Sequence, residues 1–469
     1  MSQPSEPPSR RLGLTVAAAI VVANMIGTGI FTSTGFQAAS LHDPGTILLL
    51  WVVGGVLALC GAASYAELGA RMPKAGGEYV YLREAYHPAV GFMSGWVSLT
   101  AGFSAPIAVS ALAFAHYLGA LIGGDGGFSS GVQKLVAIAL ILAMTCLHAV
   151  DTLLGGRVQT GFTIGKVLLI AGFVGAGLLV GDGSWSHFAA QQGGLSNVLS
   201  NDFAVSLMYV SFAYSGWNAA AYIAGDIRDP QRTLPRALLL GTGLVMALYV
   251  LVNVVFLYAA PTTQLAGVFE VGHLAAISLF GRSAGSLLSS LIAVALVSSV
   301  SAMVMAGPRV YSAMAADRAL PGVLALRSKS GVPIVAVIAQ GVVAVVFVLI
   351  SERIDRLIQY IGFSLALFTT LAVGSLFVFR ARDRRDRRVR AEVDGVAGVG
   401  GVAVATAVAQ PPAYRTWGYP VTPLFYMGLS MWVAYSQFKS HWQESALVAA
   451  TLIVGAVLYA FTVGKSARK

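Results

Sequence analysis

The sequence predicts an all-α polytopic membrane protein with twelve transmembrane helices. Of its 469 residues, 57% are hydrophobic and only 11% are charged, and the mean hydropathy is +0.75. A soluble domain carries about 25% charged residues, because its surface must face water. The uncharged stretches also lack the strict alternation of membrane β-barrel strands. These observations exclude an ordinary soluble enzyme and predict a helical bundle in lipid.

Twelve apolar stretches approach or exceed the about 20 residues that cross a bilayer as a helix. Each is free of Asp, Glu, Lys and Arg except the fifth, which contains Lys166. They are numbered here as spans 1 to 12 and cover residues 12–42, 44–66, 88–124, 135–150, 158–181, 203–225, 237–269, 283–308, 330–351, 357–379, 416–438 and 445–464.

The distribution of basic residues predicts the orientation of the chain. If residue 1 is cytoplasmic, the inner segments hold 24 of the 30 Lys and Arg residues, whereas the outer loops hold five. Cytoplasmic loops of membrane proteins carry this excess of positive charge. We therefore predict that both termini are cytoplasmic. The net charge of +10 reflects this topology and does not indicate a nucleic-acid partner.

The segments outside the spans complete the predicted organisation, with cytoplasmic tails at residues 1–11 and 465–469 and a cytoplasmic linker at 381–415. The tract at residues 395–409 is uncharged but short and interrupted by glycines, so it is interpreted as flexible linker and not as a further span. Seven arginines between residues 380 and 390 are interpreted either as a solvated flank or as a contact to anionic lipid.

The sequence contains few groups that suit chemistry on a substrate. Cys60 and Cys146 lie in different apolar spans and are predicted to be inert core residues. There is no phosphate-binding loop, metal-ligand cluster or nucleophile triad, so we predict no catalytic residue, metal or cofactor. Glu67, Glu78 and Glu84 are interpreted either as an inner-gate network with nearby basic residues or as a surface cluster.

Two spans contain internal breaks. Span 1 has the sequence IGTGIF at residues 26–31, and span 6 has FAYSGWN at residues 212–218. Backbone groups that a break frees in hydrocarbon need other partners. Glycine-interrupted helices at corresponding positions of two halves are typical of transporters with inverted repeats. The pattern predicts five-helix repeats at residues 12–181 and 199–380, with two extra helices at 416–464; the alternative is that the glycines only allow close helix packing.

Five motifs carry a resemblance to a known family. They lie at residues 26–31, 65–79, 212–232, 309–318 and 414–420. In these motifs the chain resembles the amino acid-polyamine-organocation superfamily, and it is most similar to bacterial relatives of the L-type amino-acid transporters. The resemblance covers nearly the whole chain. It implies a LeuT-like fold with a 5+5 inverted repeat and two C-terminal helices, and secondary active transport of amino acids.

The break in span 1 is suited to the backbone of an amino acid. Unwinding at Gly27, Thr28 and Gly29 leaves helix N-terminal amides whose partial positive charge favours a carboxylate. Carbonyls before the break, and those of residues 212–215, have the opposite polarity and suit an ammonium. The predicted substrate-binding residues are Met25, Ile26, Gly27, Thr28, Gly29, Phe212, Ala213, Tyr214, Ser215 and Asn218.

The resemblance implies further roles for single residues. Phe212 corresponds to an aromatic gate, and Tyr249 to a tyrosine that touches the break in span 1, although packing alone is an alternative for both. The ammonium of Lys166 corresponds to a group that replaces a coupling sodium ion. An intramembrane lysine is a functional candidate by default, but it can also snorkel to the interface or carry a proton.

The predicted function is therefore that of a permease in a bacterial-type cytoplasmic membrane. It is expected to move small or medium neutral L-amino acids by alternating access, independently of sodium and by exchange. The alternatives are proton symport, transport of cationic amino acids or amines, a passive channel and an integral-membrane enzyme. The outer loop at residues 123–133 lacks the cysteine by which animal L-type relatives bind a heavy chain, so no such partner is expected.

Overall fold

The computed structural model describes residues 12–122, 127–150, 152–189, 194–328, 331–397 and 414–462. The predicted tails and residues 398–413 of the predicted linker lie outside these ranges. Within them the chain is helical, and its β-type pairing is a single isolated bridge between Leu12 and Ile227. The all-α class is confirmed.

The described residues form nineteen α-helices, α1 to α19, and a π-helical segment, Ser98–Ser104, joins α5 to α6. In chain order the helices are Leu14–Met25, Thr28–Leu41, Pro44–Arg71, Glu78–Ala85, Pro88–Val97, Ala105–Ile122, Ser130–Val150, Thr152–Val180, Asn201–Tyr214, Ala219–Tyr222, Pro230–Ala259, Thr262–Leu265, Val271–Phe280, Arg282–Ala306, Pro308–Ala316, Ile334–Ile350, Ile354–Ala397, Val421–Ser440 and Trp442–Thr462.

Nine helical stretches of the described chain are long and apolar enough to cross a membrane, which makes this a multi-pass membrane protein. They fall in spans 1 to 5, 7, 8, 10 and 12. Helices also occupy the other three predicted spans. Span 6 is the broken pair α9 and α10, span 9 is the 17-residue α16, and span 11 is the 20-residue α18. Twelve crossings and the inverted repeat stay predictions.

Both predicted breaks are present as local changes of backbone direction. In span 1, Ile26 (ψ 94°) and the extended Gly27 separate α1 from α2. Thr28 and Gly29, which were predicted to be unwound together with Gly27, already belong to α2, so the break is shorter than predicted. In span 6, α9 ends at Tyr214, and Gly216 has a φ of +95° before α10 begins. Only glycine adopts this left-handed conformation without strain, which explains the glycine in the second break.

The tenth span continues far beyond the predicted end of its apolar stretch. Helix α17 runs without interruption to Ala397, into the region predicted as linker. Its extension is rich in Arg and Ala, which favour helix. The first turn of the extension is docked, because the Arg382 guanidinium donates to the backbone carbonyls of Glu84 and Ala85 at 2.7 and 2.8 Å.

A buried carboxylate fastens this extension to the rest of the fold. Glu67, at the end of α3, is fully buried and accepts from Arg380 at 2.6 Å, from Arg71 at 3.0 Å and from the backbone N–H of Thr416 at 2.8 Å. The guanidinium of Arg380 also lies 3.7 Å from the centroid of the Tyr419 ring. Glu67 therefore joins α3, α17 and the segment that precedes α18.

Replacing this carboxylate should destabilise the protein. Breaking a buried ion pair by removing one partner costs about 3–5 kcal/mol, because the remaining charge stays buried. We expect Glu67→Gln to lower the free energy of unfolding by about 3 kcal/mol, which thermal unfolding of the purified protein measures. Glu84→Gln is the control, because the Glu84 side chain is 48% exposed in its pair with Arg83. Equal changes in the two variants would contradict the role of Glu67.

Candidate functional site

The two breaks lie against each other at the centre of the fold. A Cβ placed on Gly29 would lie 2.5 Å from the Cα of Ala213 and 2.6 Å from its Cβ. A Cβ on Gly216 would lie 2.8 Å from the carbonyl oxygen of Asn24. The predicted residues of spans 1 and 6 are thus brought together, at backbone contact.

Tyr249 on α11 contacts both breaks. Its hydroxyl oxygen lies 2.6 Å from the carbonyl oxygen of Met25 and 3.2 Å from that of Ala213. One hydroxyl hydrogen serves one acceptor at a time, so the two carbonyls share this donor. Tyr249 is fully buried and packs edge-on against Trp51, with ring centroids 5.6 Å apart.

Lys166 on α8 reaches the break in span 1. Its Nζ donates to the carbonyls of Ile26 and Ala23, at 2.8 and 3.3 Å, and to the hydroxyl of Ser299 at 2.8 Å. The residue is only 2% exposed. The ammonium therefore turns inward, and the alternative that it snorkels to the interface does not describe this structure.

These hydrogen bonds occupy some of the backbone carbonyls that were predicted to accept from a substrate ammonium. The carbonyl oxygen of Ile26 accepts from both Lys166 and Ser299, at 2.8 and 3.0 Å. A carbonyl oxygen has two lone pairs, and the single hydroxyl hydrogen of Ser299 is shared between the carbonyls of Ile26 and Ala295. Ile26 can therefore accept from a ligand only when Ser299 donates to Ala295. Met25 keeps one, because only Tyr249 donates to it.

The first turn of α2 presents the opposite polarity. Gly27 precedes this helix and, being a glycine, has no side chain of its own with which to cap the helix amides. The Thr28 hydroxyl donates to Ser110 of α6 at 3.2 Å, and both Thr28 and Gly29 are buried. Uncapped amides at a helix N-terminus favour an anion. The Thr28 hydroxyl can donate to such an anion only if it gives up its hydrogen bond to Ser110.

A cavity lies beside the break in span 6. Of the predicted site residues, Phe212, Tyr214, Ser215 and Asn218 line it, and span 1 contributes Asn24. Its other polar and aromatic lining includes residues that were not predicted, namely Ser211, Trp217, Tyr222, Thr369, Tyr426 and Ser430. No lining residue carries a formal charge.

The lining residues that were not predicted differ in whether the sequence contains a signal for them. Asn24 is a polar residue directly before the break, which is a usable signal. Tyr426 and Ser430 belong to α18 of span 11, which the prediction placed outside the repeats. The hydrophobic periodicity of the sequence does not indicate that α18 lies beside the cavity.

Asn218 connects the cavity to a buried carboxyl. Its Nδ2 donates to the Oε1 of Glu78 at 2.8 Å and to the hydroxyl of Tyr222 at 3.0 Å. Tyr65 donates to the same Oε1 at 2.7 Å. Burial raises the pKa of the Glu78 carboxyl, and these hydrogen bonds offset the effect only in part. Glu78 thus belongs neither to a surface cluster nor to a network of basic residues.

The described part of the chain holds no group of three or more His, Cys, Asp or Glu side chains that could bind a metal ion. The arrangement consists instead of helix breaks, backbone dipoles and an uncharged cavity. Such a site can bind and release a small polar molecule without covalent chemistry.

Comparison with known proteins supports this interpretation. The sequence profile of the family described as "Amino acid permease" matches residues 12–434. The serine/threonine exchanger SteT of Bacillus subtilis (strain 168) is 32% identical over 384 residues, which cover 81% of this chain and 85% of that protein.

Two human proteins are similar to nearly the same extent. The b(0,+)-type amino acid transporter 1 is 29% identical over 93% of this chain and 90% of its own length. The large neutral amino acids transporter small subunit 2 is 31% identical over 79% of this chain and 70% of its own length. With the profile match over most of its length, this chain belongs to the amino acid permease family of the amino acid-polyamine-organocation superfamily, whose members are membrane transporters of amino acids and not enzymes.

Proposed function

We propose that the protein exchanges small or medium neutral L-amino acids across the cytoplasmic membrane of a bacterial cell, by alternating access and without sodium. The observation that carries the proposal is the ammonium of Lys166 at the break in span 1, bonded to three oxygen atoms of α1 and α14. A covalently held cation at this place supplies the positive charge for which a bound sodium ion would otherwise be needed.

The proposed recognition of substrate uses the polarity of the breaks. The substrate carboxylate binds at the uncapped amides of residues 27–29, where the helix dipole is positive. The ammonium binds at the carbonyl of Met25 and at carbonyls of residues 212–215, beside the amide oxygen of Asn218. Phe212 closes over the bound molecule. Because the lining of the cavity is uncharged, a neutral side chain is favoured over a cationic one.

Exchange is favoured by the relative that is named a serine/threonine exchanger. Both termini lie in the cytoplasm in this proposal, as the positive-inside pattern indicates. The protein acts without a disulfide-linked heavy chain, because the outer loop at residues 123–133 contains no cysteine.

Uptake into proteoliposomes tests the proposal. Labelled serine, threonine, alanine and leucine are supplied outside, with and without unlabelled amino acid inside, first at symmetric pH and then with an acidic exterior. We expect uptake that requires internal amino acid and is unchanged when choline replaces sodium. Uptake into empty vesicles that an acidic exterior drives would establish proton symport instead.

Removing the ammonium of Lys166 should slow turnover. Hydrogen bonds to charged groups contribute about 1.5–3 kcal/mol, so Lys166→Ala should reduce exchange about tenfold or more. Lys134→Ala is the matched control, because the Lys134 ammonium is exposed and donates to the carbonyl of Leu349. Wild-type exchange by Lys166→Ala would refute the role of this ammonium.

Adding one methyl group at the contact between the breaks should also stop transport. Gly29→Ala forces α2 away from Ala213, and a displacement of about 1 Å can reduce activity a hundredfold. We expect exchange to fall at least about tenfold while the purified protein stays monodisperse. In Gly172→Ala, the control, the new Cβ meets no atom within 4 Å. If Gly29→Ala exchanges at the wild-type rate, the substrate site is elsewhere.

A further inference from the structure

Glu78 is a buried carboxyl directly behind the wall of the cavity. It is the first residue of α4, between spans 2 and 3, and only 2% of it is exposed. Its Oε1 accepts three hydrogen bonds, from Tyr65 at 2.7 Å, Asn218 at 2.8 Å and Tyr222 at 3.4 Å. Asn218 and Tyr222 also line the cavity. The carboxyl is therefore one side chain away from the proposed substrate site.

In the part of the chain that the structure describes, the groups that bond to the Glu78 carboxyl are uncharged. The titratable groups that interact with it are tyrosines of α3, α4, α10 and α18, namely Tyr65, Tyr81, Tyr222 and Tyr426. Glu78 takes part in none of the ion pairs of the described residues.

Three arginines of α4 and the adjacent α17 are engaged elsewhere. On α4, Arg83 pairs with Glu84 and Asp317, and on the adjacent α17, Arg380 bonds Glu67 while Arg382 bonds backbone carbonyls. The negative charge of Glu78 thus has neutral donors but no cation, and burial penalises a charge in this situation.

The position of the carboxyl links its protonation to the conformation of the protein. Asn218 and Tyr222 follow the break in span 6, whereas α4 packs against α5 and α17. Movement of the broken helix away from α4 removes two of the three donors and admits water. A carboxyl binds its proton more tightly when it is dry than when it is hydrated.

We propose that Glu78 is a proton-binding site coupled to the transport cavity. The conformation described here holds the carboxyl dry and protonated, and movement of Asn218 and Tyr222 away from α4 hydrates the carboxyl and releases its proton to water. Oε1 accepts the three hydrogen bonds, which leaves Oε2 to carry the proton. The inference rests on the proposed function, because it assigns a pH response to that same site.

The sign of the response follows from linkage. Protons favour the conformation that binds them more tightly, so acid stabilises the conformation with Glu78 buried and slows the cycle. A difference of about one pKa unit between the two conformations shifts their equilibrium about tenfold below both values. Glu78→Gln mimics the protonated carboxyl at every pH.

The experiment measures amino-acid exchange in proteoliposomes at symmetric pH between about 8 and about 5. Wild-type exchange should fall up to about tenfold toward acid pH. Glu78→Gln should be slow and independent of pH, at about the rate of the wild type in acid. Glu84→Gln alters an exposed carboxylate on the same helix and should keep the wild-type profile. Three results would each overturn the proposal. The first is that Glu78→Gln keeps the pH dependence of the wild type, and the second is that exchange by the wild type does not depend on pH. The third is that Glu78→Gln lowers the exchange rate equally at every pH, without changing the shape of the pH profile.

Thermal unfolding of the purified proteins gives a readout that does not depend on transport. A carboxyl whose pKa is raised in the folded state binds more protons there than in the unfolded state, so its contribution to stability falls as pH rises. The Tm of the wild type should fall relative to that of Glu78→Gln as the pH is raised from about 4.5 to about 7. Parallel Tm curves would refute the proton site, whereas absence of exchange by the wild type with diverging Tm curves would refute the proposed function alone.

Discussion

Backbone groups that lie in hydrocarbon must find a partner inside the protein, and the architecture of this transporter depends on how it meets that constraint at its broken helices. The break at residues 26–27 frees carbonyls at the end of α1. Three other helices supply their partners, with Lys166 from α8, Tyr249 from α11 and Ser299 from α14. The break is stable only because these helices converge on it, so the site is a product of the whole bundle.

The two sides of this break are treated differently. The carbonyl side receives an ammonium and two hydroxyls from the protein, whereas on the amide side Gly27 has no side chain of its own with which to cap the helix. Because the carbonyls of the break already accept hydrogen bonds from the protein, a ligand gains more by bonding to the amides of α2. In the binding mode proposed above, the amide side of the break therefore receives the substrate carboxylate. Because the Ile26 carbonyl already accepts from Lys166 and Ser299, the proposed binding of a substrate ammonium depends mainly on Met25 and on span 6.

The sequence was informative where the signal is local. A pair of glycines in an apolar span and a polar FAYSGWN stretch were enough to predict both breaks, and a lone intramembrane lysine was enough to single out Lys166, whose functional role stays a prediction. The environment of Glu78 could not be predicted, because it depends on Asn218, which lies 140 residues further along the chain. The approach of α18 to the cavity and the continuation of α17 to Ala397 likewise follow from tertiary packing, to which hydrophobic periodicity is insensitive.

Three buried ionisable groups differ in whether their hydrogen-bond partners are charged or neutral. Glu67 has two arginine partners and fastens α3 to α17. Lys166 and Glu78, which contact the broken helices, have only neutral partners. Breaking a buried ion pair costs about 3–5 kcal/mol, because it leaves an uncompensated buried charge, whereas a hydrogen bond between a charged group and a neutral partner contributes about 1.5–3 kcal/mol. A charged partner at either break would oppose the rearrangement that alternating access, as proposed above, requires, whereas neutral partners oppose it less.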